Sequence, residues 1–177
     1  MELEERVSSS TNPDGGVPSV LSSLKERREQ VLADQILRLA VPRWDDPTIL
    51  VMYRPVSHGF IRAAQKRVEK ANKDRASEVE VEANADILIQ GCTGIVAVVD
   101  GQEYSLRPND PLGEPTTFDA DLAANLGIEG GGSKGPTARS VVRSLFITDG
   151  DILSAATKLI EFSGYRETEA DAAILGE

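Results

Sequence analysis

Cys92 and His58 are the single members of their residue types, so any cysteine–histidine nucleophile pair has to be built from these two. Such a pair needs a thiolate, which forms beside positive charge or a helix N-terminus and is suppressed in apolar surroundings. Cys92 continues a stripe of Val81, Ala85, Leu88 and Ile89 at the spacing of a buried helix face. There a cysteine acts as a small hydrophobe with a raised pKa. His58 stands at a helix start, where the helix dipole disfavours imidazolium. Both residues therefore read as structural.

The glycine-rich segment Glu129-Gly130-Gly131-Gly132-Ser133-Lys134-Gly135-Pro136-Thr137 invites comparison with a phosphate-binding loop. That loop needs Gly-Lys-Ser/Thr after a buried strand, so that the backbone wraps the phosphates and the hydroxyl meets magnesium. Here Ser133 precedes Lys134 and Gly135 follows it, which reads as a linker over 129–136. The carboxylates Asp45 and Asp46, Asp119 and Asp121, and Asp149 and Asp151 each stand at a turn or helix start, where capping accounts for them. Neither Asp-x-Asp pair extends into a calcium loop. Paired-carboxylate catalysis stays open on sequence, with capping the favoured reading. No catalytic, cofactor-binding or metal residue is assigned, and the expectation is a protein that is not an enzyme.

A basic run, Arg62, Lys66, Arg67, Lys70, Lys73 and Arg75, is interrupted only by Glu69 and Asp74 among charged residues. It could bind phosphates, but it lacks interleaved aromatics or a base-reading glycine motif, so a solvated helix face is favoured. The net charge of −10 over 177 residues points the same way, since nucleic acids and anionic membranes select basic surfaces. One cysteine excludes an intramolecular disulfide and a cysteine-rich zinc site. Apolar runs such as Thr48–Met52 are far shorter than the roughly 20 residues of a membrane span. The acidic N-terminus lacks the pattern of a signal peptide. The expected location is the cytosol where the chain is made.

Aromatics are only 5% of the chain, so the core must be aliphatic, and its periodicity is mostly helical. Residues 1–20 offer little to bury and read as a disordered tail. A Ser23–Glu26 capping box predicts a first helix carrying Val31, Leu32, Ile36 and Leu39 and ending at Pro42. Thr48–Tyr53 reads as a strand, and Ser57 caps a second helix with Phe60, Ile61, Ala64 and Val68 on one face. The Val81–Cys92 stripe follows, then a hairpin over Ile95–Val99 and Tyr104–Leu106 with Asp100-Gly101 suited to a type I′ turn. A proline-rich loop over Asn109–Thr117 and a short helix from Asp119 to Leu126 come next. Two amphipathic helices close the domain, one with Val141, Val142, Leu145 and Phe146, the other with Ile152, Ala155, Ala156, Leu159 and Ile160. The acidic stretch 166–177 reads as a frayed tail. The expected fold is mainly α: a helical domain over 21–165 with a minor β element, one strand plus a hairpin.

Between Trp44 and Tyr165 several local patterns occur in a shared order. They are Pro42-Arg43-Trp44, Tyr53-Arg54-Pro55, Asn84-Ala85-Asp86-Ile87-Leu88-Ile89 and Cys92-Thr93-Gly94-Ile95, then Phe118-Asp119-Ala120-Asp121-Leu122-Ala123 and Leu126-Gly127. The run Ala138-Arg139-Ser140-Val141-Val142-Arg143-Ser144-Leu145-Phe146 and the closing Leu159-Ile160-Glu161-Phe162-Ser163 complete the set. In this order the chain resembles the tail assembly chaperones of long-tailed, siphovirus-like phages infecting actinobacteria. The resemblance implies a protein of the host cytoplasm, not expected in the mature virion. It would bind the tape measure protein, keep it soluble and give way as tail tube subunits polymerise. Implied partners are the tape measure protein, the tail tube protein and a frameshifted longer form of the chain itself. The alternative is a structural virion component, such as a head–tail connector or tail protein. For protein binding, Trp44 (between a proline and a turn), Phe162 (off its helix stripe) and Tyr165 (after a helix-ending glycine) are the candidate residues, with packing under loops as the competing reading.

Overall fold

The structure is a computed structural model and describes residues 20–107, 115–128 and 135–165. The expected N-terminal tail up to residue 19, most of the proline-rich loop (108–114), the linker core 129–134 and the acidic tail 166–177 lie outside the described residues. The chain divides into two units, residues 1–34 and residues 35–177. In the first, helix α1 spans Val20–Asp34 and begins ahead of Ser23, so Ser23 and Glu26 lie inside the helix and do not cap it.

The second unit is an α/β fold built on a four-stranded antiparallel sheet in the order β1-β2-β3-β4. The strands are β1 (Leu37–Asp45), β2 (Thr48–Tyr53), β3 (Cys92–Val99) and β4 (Gln102–Ser105). This overturns the mainly helical expectation with one strand plus a hairpin. The missing strand is β1, where helical spacing through Ile36 and Leu39 matched a pattern that is in fact alternating. Leu37, Leu39 and Val41 are turned toward the core and Arg38, Ala40 and Pro42 away from it. Pro42 does not end a helix; it sits in an edge strand, the place in a sheet where a missing N–H is tolerated.

Between β2 and β3 the chain makes α2 (His58–Glu69) and α3 (Ala76–Gly91), linked by a 3-10 turn at Lys73–Arg75. Ser57 caps α2 by accepting a hydrogen bond from the Phe60 N–H. The third helix runs into β3 with no loop: Cys92 closes the helix and opens the strand. That junction requires glycine at position 91. A Cβ there would lie 2.8 Å from Leu159 Cδ2, 3.0 Å from Val56 Cγ2 and 3.1 Å from the Arg54 carbonyl oxygen. The Gly91 carbonyl also accepts the Arg54 N–H at 2.8 Å, holding the exit of β2 against the end of α3. Gly91→Ala should therefore lower unfolding free energy by about 1–3 kcal/mol, the usual cost of overpacking, as read by urea denaturation. A midpoint equal to the parent's would show that the junction has room.

The β3–β4 hairpin turns at Asp100-Gly101, both with positive φ (50° and 78°), as a type I′ turn demands. Past the hairpin come α4 (Ala120–Asn125), α5 (Ala138–Phe146) and α6 (Asp149–Phe162), capped by Asp119, Thr137 and Thr148. Each cap side chain accepts a backbone N–H three residues on, satisfying a donor that the first helical turn leaves unpaired.

The core gathers one face of the sheet (Ile49, Val51, Tyr53, Ile95) with Ile61, Leu88, Val142, Leu145, Phe146, Ile152 and Leu159 from the helices. It is aliphatic apart from Tyr53, Phe118 and Phe146. An ion network ties three helices together. Asp86 of α3 takes Arg139 of α5 in a paired contact (Nε–Oδ1 2.6 Å, Nη2–Oδ2 2.8 Å) and Arg67 of α2 at 2.7 Å. Glu82 accepts from Arg139 Nη1 at 3.2 Å.

Candidate interaction surface

Strand register decides what each face of the sheet carries. Val51 pairs with Leu39 and Ile95, and Ile49 with Ala97, which places these side chains on the helix-covered face. The intervening residues define the other face: Ala40, Leu50, Val96 and Ser105 lie in one row across it, flanked by Arg38, Met52 and Gly94 on one side and Thr48, Val98 and Glu103 on the other. Leu50, Met52, Val96 and Val98 are half-buried and stand outside the core cluster. An antiparallel sheet with one face in the core usually alternates apolar-in and polar-out. Here the centre of the outward face is apolar instead, with its four large side chains half-buried.

Arg38 of β1 forms an ion pair with Glu103 of β4, reaching across that face over the two central strands. Both side chains remain about half exposed, so the pair adds little stability. It places a charged pair across the apolar centre of the face. At the end of the patch Pro115 approaches Gly94, where an added Cβ would meet Pro115 Cβ at 3.4 Å and the flexible end of Met52 at 2.6 Å.

The three residues singled out from sequence are all packed against the core. Trp44 donates its indole Nε1–H to the Leu145 carbonyl at 2.8 Å, which fixes the end of β1 on α5. Phe162 lies in the last turn of α6 and is half-buried. Tyr165 donates its hydroxyl to Gln65 Oε1 at 3.0 Å and meets the His58 ring edge-on at a centroid distance of 5.2 Å. Tyr165 hydrogen-bonds to α2 and Trp44 to α5, so the two are anchored on different helices.

His58 is thus engaged by Tyr165, while Cys92 sits beyond α3, at the start of β3. Burial, opposed only in part by backbone N–H groups of Gly94 and Phe118, pushes the Cys92 thiol up to about 12. Tyr53 beside it is raised as well, by burial first and by Cys92 second. Alkylation by iodoacetamide at pH 8 should therefore be slow in the folded protein and rapid in urea, since the thiolate is the reacting form. Mass spectrometry of the quenched protein reads this, and equal rates in both states would contradict the buried placement.

The paired carboxylates resolve into structure. Asp119 caps α4 through the Leu122 N–H and binds Arg107 at 2.9 Å, with Asp121 also within 3.4 Å of Arg107. Asp151 accepts from Thr148 at 2.6 Å and from Arg43 at 3.1 Å. Among the described residues no group of three or more His, Cys, Asp or Glu side chains could hold a metal ion.

No protein-family model, curated protein or solved structure matches the chain. No helix among the described residues is long and apolar enough to cross a membrane. The outward sheet face is absent from the sequence-derived candidates. Its signal is present in the runs Thr48–Tyr53 and Ile95–Val99, which are apolar at successive positions where a one-sided strand would alternate.

Proposed function

We propose that this protein is a tail assembly chaperone of a long-tailed phage, one that binds the tape measure protein, keeps it soluble and is displaced as tail tube subunits polymerise. The observation that carries the reading is the apolar outward face of the sheet, Leu50, Met52, Val96 and Val98, crossed by the Arg38–Glu103 ion pair. A long helical client exposes apolar stripes that aggregate unless covered. An apolar patch on a sheet accepts one such stripe by helix-on-sheet packing. The ordered sequence patterns from Trp44 to Tyr165 support the same family. The reading places the protein in the host cytoplasm during assembly, without enzymatic activity, cofactor or nucleic-acid partner; a frameshifted longer form remains part of the proposal.

The second reading, a virion component, gains from one observation. A helical chain poor in strands would be ill-suited to polymerise, but the four-stranded sheet, with β4 at one edge among the described residues, removes that objection. Co-expression with the tape measure protein tests the first reading: the client should move from the pellet to the soluble fraction and co-purify with this chain. Mass spectrometry of purified particles separates the two. Stoichiometric copies in the virion would overturn the chaperone assignment.

A further inference from the structure

The basic run of α2 resolves into two kinds of cation. Arg67 is consumed by Asp86, and Arg75, just past the helix, by Glu78 at 3.2 Å. Arg62, Lys66 and Lys70 are exposed, and among the described residues no carboxylate lies within 4 Å of any of them. Spaced four apart, they form one row on the side of α2 opposite Ile61 and Ala64, the buried residues of the helix. Three unpaired cations in a row are unexpected on a chain with 29 acidic residues and a net charge of −10. A surface of that balance would ordinarily intersperse the two signs.

The described chain ends beside this row. Tyr165 is held on α2 by its hydrogen bond to Gln65 and its edge-on contact with His58, and these two residues lie on the helix stripe next to Arg62 and Lys66. Beyond Tyr165 the sequence continues Arg166-Glu167-Thr168-Glu169-Ala170-Asp171-Ala172-Ala173-Ile174-Leu175-Gly176-Glu177, four carboxylates against one arginine. Arg62 to Lys70 covers about 12 Å of helix axis. A chain segment of that length reaches up to about 40 Å when extended, so distance sets no obstacle.

We propose that the cationic row Arg62, Lys66 and Lys70 is a docking surface for acidic polypeptide, and that its occupant is the chain's own segment 166–177. The contact is intramolecular, guided by opposite charge and started by the Tyr165 anchor, which gives it a high effective concentration. It stands apart from the sheet face and does not depend on the chaperone reading. Nucleic acid is the less favoured occupant because the rest of the surface repels phosphate.

Paramagnetic relaxation tests the proposal in the full-length chain. A nitroxide is placed on Gly176→Cys in a Cys92→Ala background, and backbone amide intensities are compared with the reduced label. At about 20 mM salt the amides of residues 62–70 should lose at least about half their intensity, and most of it should return near 500 mM, where screening shortens to a few ångströms. The triple variant Arg62→Ser, Lys66→Ser, Lys70→Ser should lose the effect even at low salt. These positions are exposed, so folding should survive; the salt series on the intact row gives an independent reading if it does not. Attenuation confined to residues around Tyr165, or insensitive to both salt and the triple variant, would overturn the proposal. Mixing isotope-labelled unmodified chains with unlabelled nitroxide chains adds a last arm. Attenuation of residues 62–70 there as strong as the mixing ratio allows for a contact between copies would assign the row to a second copy and also overturn the proposal.

Discussion

On the proposed function, Leu50→Glu is expected to abolish solubilisation of the tape measure protein while leaving the protein itself folded. Leu50 lies at the centre of the outward sheet face, paired with Ala40 and Val96. It is half-buried and makes no part of the core cluster. A carboxylate there would have to be desolvated beneath any apolar client, a cost of several kcal/mol that a modest, displaceable interface cannot offset. In the free protein the new carboxylate lies diagonal to Arg38, so the melting temperature should fall by no more than about 5 °C, about 1.5 kcal/mol for a domain of this size. The measurement is paired: thermal unfolding of the variant alone, and the soluble fraction of the client on co-expression. A variant that folds and still rescues the client would remove the sheet face from the proposed function.

The second large effect is on stability and follows pH. Burial works to raise the Asp86 pKa, but the hydrogen bonds and charges of Arg139 and Arg67 outweigh it and hold the carboxyl below its ordinary value of 3.8. A carboxylate whose folded pKa is depressed contributes stability above the unfolded pKa and loses it as pH falls through the folded one. Asp119, whose burial is likewise outweighed by the Leu122 N–H, Thr117 and Arg107, and Asp151, lowered first by its Thr148 hydrogen bond, shift in the same direction. Stability should therefore hold from pH 7 to about 5 and fall steeply below about pH 4. Asp86→Ala should cost about 2 kcal/mol at pH 7, as for hydrogen bonds to charged groups, and should flatten the acid limb. Urea midpoints from pH 2 to 7 measure both. The same acid slope in the variant would show that the network does not carry the dependence.

Local signals in the sequence are legible where one element decides its own ends. Ser57, Asp119 and Thr148 cap helices because each presents a side-chain oxygen to the first turn. The Asp100-Gly101 turn forms because both residues accept positive φ. Strand β1 is hidden because Ile36 and Leu39 fit a helical spacing while Leu37, Leu39 and Val41 fit an alternating one, and a neighbouring strand, not the segment itself, chooses between them. Cys92 reads as helical for a similar reason: α3 and β3 meet without punctuation, and the stripe simply runs on. Contacts such as Asp86–Arg139 and Trp44–Leu145 join residues far apart in the chain and leave no local trace. The Trp44, Phe162 and Tyr165 candidates rest on apolar residues that fall outside tidy patterns. In the fold those residues close the rim of the core, while the apolar surface lies on strands whose patterns look complete.

The sheet is assembled from two local hairpins, β1–β2 and β3–β4, joined along the β2–β3 seam. Each hairpin closes a turn of a few residues, whereas the seam encloses residues 54–91, including both α2 and α3. Loop-closure entropy rises with the logarithm of the enclosed length, so the seam is the costlier pairing. Leu50 and Val96, the central residues of the outward face, sit on opposite sides of that seam. The proposed binding surface therefore does not exist in either hairpin alone. It needs the two hairpins joined along the seam, so on the proposed function capture of a client requires the assembled sheet.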